Sequence, residues 1–129
     1  MYSFSVNVNA AFDDTVEKVT HALKEEGFGV LTDIDFAATI KNKLGIERSQ
    51  YRILGACNPA LANQAVDADP DAGVLLPCNV VVRDNDDGSS TVVFMDPMAV
   101  ISLSGNAGVE KVAGEANERL QRVKQALLD

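Results

Sequence analysis

From Tyr2 to Asn9 the chain alternates without a break. Tyr2, Phe4, Val6 and Val8 fall on one side, and Ser3, Ser5, Asn7 and Asn9 on the other. Successive strand residues point to opposite faces, so this is a strand with one buried and one solvated face. Half-wet strands belong to antiparallel sheets covered on one side; strands of parallel sheets are apolar on both. The expected fold is therefore α+β: an antiparallel five-stranded sheet with two long helices, Phe12–Glu26 and Val109–Leu128, packed on one face.

The helices are read from a different period. Phe12, Val16, Val19 and Leu23 recur at helical spacing, Asp13 and Asp14 suit the positive end of the helix, and Gly27 stops it. Near the C-terminus Val109, Val112, Ala116, Leu120, Val123 and Leu127 form a second stripe. The single histidine, His21, lies about half a turn from Phe12 and falls on the polar face, which makes it a solvated residue rather than a ligand or base.

Between the helices lie the remaining strands. Gly29–Ile34 reads as a strand with Val30, Thr32 and Ile34 on one side. Asp35 caps a short helix carrying Phe36, Ile40 and Leu44, closed by Gly45, and Ile46–Gln50 is a connector. In the strand Tyr51–Cys57, Tyr51, Ile53, Gly55 and Cys57 share one face, and Arg52, Leu54 and Ala56 the other. Asn58-Pro59 then starts a helix carrying Leu61, Ala62, Ala65 and Val66: asparagine caps, and proline at the first position gives up no hydrogen bond. Asp69-Pro70 ends it. Ala72–Arg83 reads as an apolar strand with a bulge or edge at Pro77, which cannot donate to a ladder. Asp84–Ser89 is a hairpin loop and Thr91–Met95 the returning strand. The loop is rich in carboxylates but lacks the twelve-residue calcium pattern with its terminal Glu, so a solvated turn is expected. Asp96-Pro97 breaks the strand, and Met98–Leu103 forms a helical turn.

At 129 residues the chain reads as one domain, 1–129. Its net charge of −8 repels phosphate backbones and anionic lipid, so neither nucleic acid nor a membrane is expected as a partner. No apolar run approaches the roughly 18 residues that a membrane span needs. The start, Met1-Tyr2-Ser3-Phe4-Ser5, has no basic region and no long apolar stretch, so it does not read as a signal peptide. A cytoplasmic location is expected, and there two cysteines are more often free thiols than a disulfide.

Those cysteines sit in related settings, Cys57-Asn58-Pro59 and Pro77-Cys78-Asn79. If their strands are antiparallel neighbours, the end of one faces the start of the other. Cys57, Asn58, Pro59, Cys78 and Asn79 then form one candidate ligand or thiol site. The helix beginning after Asn58 places a partial positive charge beside Cys57, which lowers a thiol pKa; Cys78, inside an apolar strand, is expected to be less reactive. Two readings stand side by side. Cysteine also packs as a small hydrophobe, and an N-cap asparagine has a purely structural use. No metal site is assigned, since zinc takes four ligands and two soft ones are offered, although two thiolates can hold copper(I). The chain has no glycine-rich phosphate loop, no CxxC and no nameable acid–base pair, so no catalytic residue and no cofactor is assigned.

Ile53-Leu54-Gly55-Ala56-Cys57-Asn58-Pro59, then Leu75-Leu76-Pro77-Cys78-Asn79-Val80, then Asp96-Pro97, resemble the domain of unknown function family 302 over nearly the whole chain. The resemblance implies an α+β fold similar to that of the TATA-binding protein, in the order strand–helix–four strands–helix, and a homodimer. It implies no reaction. The residues point to self-association independently. Leu75, Leu76, Val80, Val81, Val82, Val92, Val93, Phe94 and Met95 cannot all enter one core if they alternate, and the surplus makes an interface-sized patch.

Two functions follow: a homodimeric ligand-binding or structural module with a paired Cys-Asn site, binding a small molecule or thiol, or a thiol-dependent redox or sulfur-transfer protein using Cys57 or Cys78.

Overall fold

The computed structural model of the protein describes residues 1–128. In chain order the elements are β1 (Ser3–Val8), α1 (Phe12–Glu25), β2 (Gly29–Asp35), α2 (Phe36–Leu44), β3 (Tyr51–Cys57), α3 (Pro59–Ala68), β4 (Cys78–Asp84), β5 (Ser90–Met95), α4 (Pro97–Val100) and α5 (Ala107–Leu128). Short 3-10 turns occupy Ala72–Leu75 and Ile101–Ser104. The sheet has five strands in the order β1-β5-β4-β3-β2, with every neighbouring pair antiparallel.

One face of the sheet carries the core. Val6 and Val8 of β1, Leu54 and Ala56 of β3, Val80 and Val82 of β4, and Val92 and Phe94 of β5 are buried there. Val19 and Leu23 of α1, and Val109, Leu120 and Val123 of α5, close over them and are fully buried. Each such aliphatic side chain contributes about 1.5–3 kcal/mol, so these two stripes do most to hold the helices on the sheet. Leu61 and Ala65 bring α3 against the same core.

Side chains tie the helix ends together. Asn58 Oδ1 accepts from Leu61 N at 3.2 Å and caps α3. At the other end of α3, Asn106 Nδ2 donates to Ala68 O at 3.0 Å, while Asn106 Oδ1 accepts from Gly108 N at 2.9 Å and starts α5. One asparagine thus satisfies the last carbonyl of one helix and two of the first amides of the next. In contrast α1 starts without a side-chain cap, at Ala11, and has only Asp13 and Asp14 in its first turn to meet the dipole.

Two strands differ from the sequence expectation. The fourth begins at Cys78, not Ala72. Asp69 Oδ1 accepts from Asp71 N at 3.0 Å and Asp69 O from Ala72 N at 2.9 Å, which curls the chain into a 3-10 turn, and Pro77 has no N–H for the ladder. In β2 the register shifts between Val30 and Thr32. Val30 pairs with Ala56 on the core side, whereas Thr32 pairs with Gly55 and Ile34 with Ile53. Val30, Thr32 and Ile34 therefore do not share a side, because a bulge inserts an extra residue and inverts the alternation.

The face away from α1 and α5 is ordered in rows across the strands. Ile34, Ile53, Val81, Val93 and Ser5 are successive Cα partners. Four β-branched aliphatic residues thus lie side by side across four strands. On one side of this row run Thr32, Gly55 and Asn79, with Met95 opposite Ser3; on the other run Tyr51, Arg83, Thr91 and Asn7.

Candidate functional site

The register of β3 and β4 decides what the two Cys-Asn pairs can do. Ala56 is the Cα partner of Cys78, and Gly55 of Asn79. Ala56 is fully buried in the core, and Cys78 beside it is 4% exposed. Alternation then turns Cys57, with Gly55 and Ile53, to the opposite face. The same alternation sends Asn79 to that face, where it is exposed. Each motif is therefore split. Cys57 and Asn79 belong to the face away from α1 and α5; Asn58 and Cys78 belong to the side of those two helices. The five residues lie at one end of the sheet, but the two thiols do not face one another across a common pocket.

Electrostatics separates the thiols further. Burial pushes the Cys78 thiol up to about 12, with a smaller push from a Cys57 thiolate nearby. Burial also raises Cys57 above its ordinary value. Desolvation of the thiolate acts against the lowering expected from the α3 N-terminus. Both cysteines are free thiols. Neither is poised as a thiolate at neutral pH.

On the face away from α1 and α5 Gly55 is a point of close approach. A Cβ at residue 55 would collide with Thr32 Oγ1 and stand 3.0 Å from Pro77 Cγ. Thr32 and Pro77 thus lean together over the bare backbone of β3, between Cys57 and Ile53. Next to them a shallow groove of about 220 Å³ is lined by Tyr2, Ser3, Asn79, Val81, Val93 and Met95. Its floor is aliphatic and thioether, its polar groups are neutral, and the Asn79 amide offers two donors and an acceptor at its edge. Sequence reading missed Thr32, Gly55 and Pro77; the one signal available was a glycine inside an otherwise bulky strand, which marks a bulge or a close contact.

Asn58 also lies close against Gly27. Its Nδ2 lies 2.9 Å from where a Cβ on Gly27 would stand, and Gly27 takes φ +84. Pro59, at the first position of α3, is exposed. His21 is exposed on the polar face of α1, with Glu25 Oε1 at 3.6 Å from its Nε2. Among the described residues no three His, Cys, Asp or Glu side chains gather as a metal ion requires, and no helix is long and apolar enough to cross a membrane.

With this geometry in hand the chain can be set beside known proteins. The sequence model of the domain of unknown function DUF302 matches residues 4–127. The chain belongs to this family. A solved structure, that of an uncharacterized conserved DUF302 protein from Bacillus stearothermophilus, superposes with a TM-score of 0.88 at 25% identity, covering 98% of each chain. No curated protein matches. The DUF302 assignment agrees with the resemblance carried by the Cys-Asn motifs, and it supplies a fold without a reaction.

Proposed function

We propose that this DUF302 protein is a homodimeric binding module that works through the sheet face turned away from α1 and α5. The observation that carries the proposal is the row Ile34–Ile53–Val81–Val93, four aliphatic residues across four strands on the face that neither α1 nor α5 covers. Ile34 is 48% exposed, and Val81 and Val93 are only partly buried. An ordered apolar stripe flanked by Thr32 and Asn79 on one side and by Tyr51, Arg83 and Asn7 on the other has the anatomy of an interface, an apolar centre with a more polar rim. A second copy related by a two-fold axis covers it with its own stripe. The groove beside Asn79 shares Val81 and Val93 with the stripe, so a small neutral ligand proposed there would be held between the two copies, oriented by the side-chain amide. The proposed compartment is the cytoplasm, where both thiols stay reduced.

A sulfur-transfer or redox role would fall to Cys57, and the raised thiol there gives it no support. The test is the mass in solution. Light scattering at micromolar concentration is expected to give twice the 13.7 kDa chain. A monomer mass throughout a dilution series removes the dimer.

A further inference from the structure

We propose that α2 of each copy lies against the outer edge of β1 in the other, so that two elements left uncovered in one chain cover each other in the pair. This rests on the dimer proposed above and adds which elements meet. Three observations carry it.

The first is that the two edges of the sheet are guarded unequally. β2 carries a bulge between Val30 and Thr32 and two exposed carboxylates, Asp33 and Asp35. β1 pairs with β5 from Ser3 to Val8 without a shift, and no strand lies on its other side. Residues 1–12 hold no charged side chain and no proline. Ser5 and Asn7 are exposed, and Tyr2 is 76% exposed. A regular, uncharged edge is a template for association with other chains unless something covers it. α5 reaches β1 from the core side, where Lys124 Nζ stands 5.9 Å from the centroid of the Phe4 ring.

The second is that α2 contributes no buried residue. It stands on the same face as the stripe: the Phe36 ring lies 5.2 Å from that of Tyr51, and the Arg48 guanidinium stands over both. Leu44 is 64% exposed and Ile46 54%, so the aliphatic groups at its end have no cover within the chain. A nine-residue helix is marginal in water and gains most from packing on a second surface. Its surroundings balance in charge. Lys41, Lys43, Arg48 and Arg52 stand with Asp33, Asp35, Glu47 and Asp86, so the net charge of −8 resides elsewhere in the chain. Lys41 pairs with Glu47 and Arg52 with Asp33, and Asp86 accepts from Ser49 Oγ. A balanced surface meets the uncharged β1 of a second copy without like-charge repulsion.

The third is the placement of the two elements, at opposite edges of one face. Two kinds of two-fold axis lay one stripe on another. An axis along the row sets β1 over β1 and leaves both outer edges bare. An axis parallel to the strands sets the β2 side of one sheet over the β1 side of the other. Each α2 then falls beside the opposite β1 at the level of Asn7, which shares a row with Tyr51.

The test is hydrogen exchange of the native protein, diluted and at concentrations where light scattering gives the dimer. Residues 36–46 and β1 are expected to slow together on dimerisation. Leu44→Ser leaves the charge unchanged and is expected to raise the dimer dissociation constant about tenfold or more, since two leucine side chains lose their cover. Val66→Ser, at an exposed aliphatic position on α3, is expected to leave it unchanged. Circular dichroism checks that both variants fold. Slowing of β1 without α2 overturns the proposal, because it joins β1 to β1 edge to edge. Slowing of α2 without β1 overturns it by setting helix on helix, and so does an unchanged dissociation constant in Leu44→Ser. Those three results leave the dimer standing; a native chain that stays monomeric at every concentration removes both.

Discussion

Ala56 and Cys78 stand opposite one another as Cα partners across β3 and β4, both facing the core, and this pairing sends Cys57 to the other side of the sheet. Two motifs that look equivalent in the sequence therefore have different physical roles. Cys78 is a small core residue. Cys57 is a partly exposed thiol on the opposite face.

Thiol labelling separates them. In native protein a maleimide is expected to label Cys57 alone, slowly at neutral pH because its thiol is raised, and denaturant is expected to expose both. Cys57→Ser should abolish native labelling, and Cys78→Ala should leave it. Rapid labelling of Cys78 in folded protein contradicts the burial on which this rests.

Alkaline stability follows from Cys78. Its folded pKa of about 12 lies above the ordinary value of 9.0. Its contribution is fully present below the unfolded pKa. Above that value the unfolded chain loses the proton while the folded chain keeps it, so stability falls as pH rises towards the folded pKa. The slope from this one thiol is at most about 1.4 kcal/mol per pH unit. Urea melts of the native protein and of Cys78→Ala between these pH values should converge as pH rises. A constant difference between them would show that the thiol does not titrate with folding.

Gly55→Ala places a Cβ against Thr32 and Pro77. The expected loss is about 1–3 kcal/mol, the usual cost of overpacking. Thr32→Ala removes the nearer obstacle, so the double variant Thr32→Ala/Gly55→Ala should be more stable than the two single effects predict. Additive effects in thermal melts would mean that the two positions do not meet.

The asparagines should also diverge. Asn58→Ala removes the α3 cap and leaves Leu61 N without its partner, at an expected cost of about 1 kcal/mol. Asn79→Ala, exposed on the open face, should stay within about 0.5 kcal/mol of the native protein. Equal losses at both positions in denaturant melts would refute the division of the motifs between faces.

Much of this was legible in the sequence, for reasons that can be named. The alternation of Tyr2–Val8 marks a strand with one buried face because period two survives in any register. The stripes of α1 and α5, and the cap at Asn58-Pro59, are local patterns read within one or two turns. What failed depends on pairing between distant residues. The bulge after Val30 has no local signature and reverses which face Thr32 and Ile34 occupy. The start of β4 at Cys78 follows from the turn at Asp69–Ala72, masked by the apolar run Val74-Leu75-Leu76. The division of Cys57 from Cys78 is a matter of register, which neither motif contains. Arg48 read as part of a connector because its aromatic neighbours, Phe36 and Tyr51, come from elements on either side of it.

The central claim is that the row Ile34–Ile53–Val81–Val93 is covered by a second copy, and the measurement that reaches it most directly is light scattering of Val81→Lys beside the native chain at equal concentration. Under the proposed dimer a lysine at position 81 would have to be buried against the partner's apolar stripe, whereas on a free face it stays solvated. The account predicts a dimer for the native protein and a folded monomer for Val81→Lys. A native monomer, or a Val81→Lys variant that remains dimeric, would contradict it.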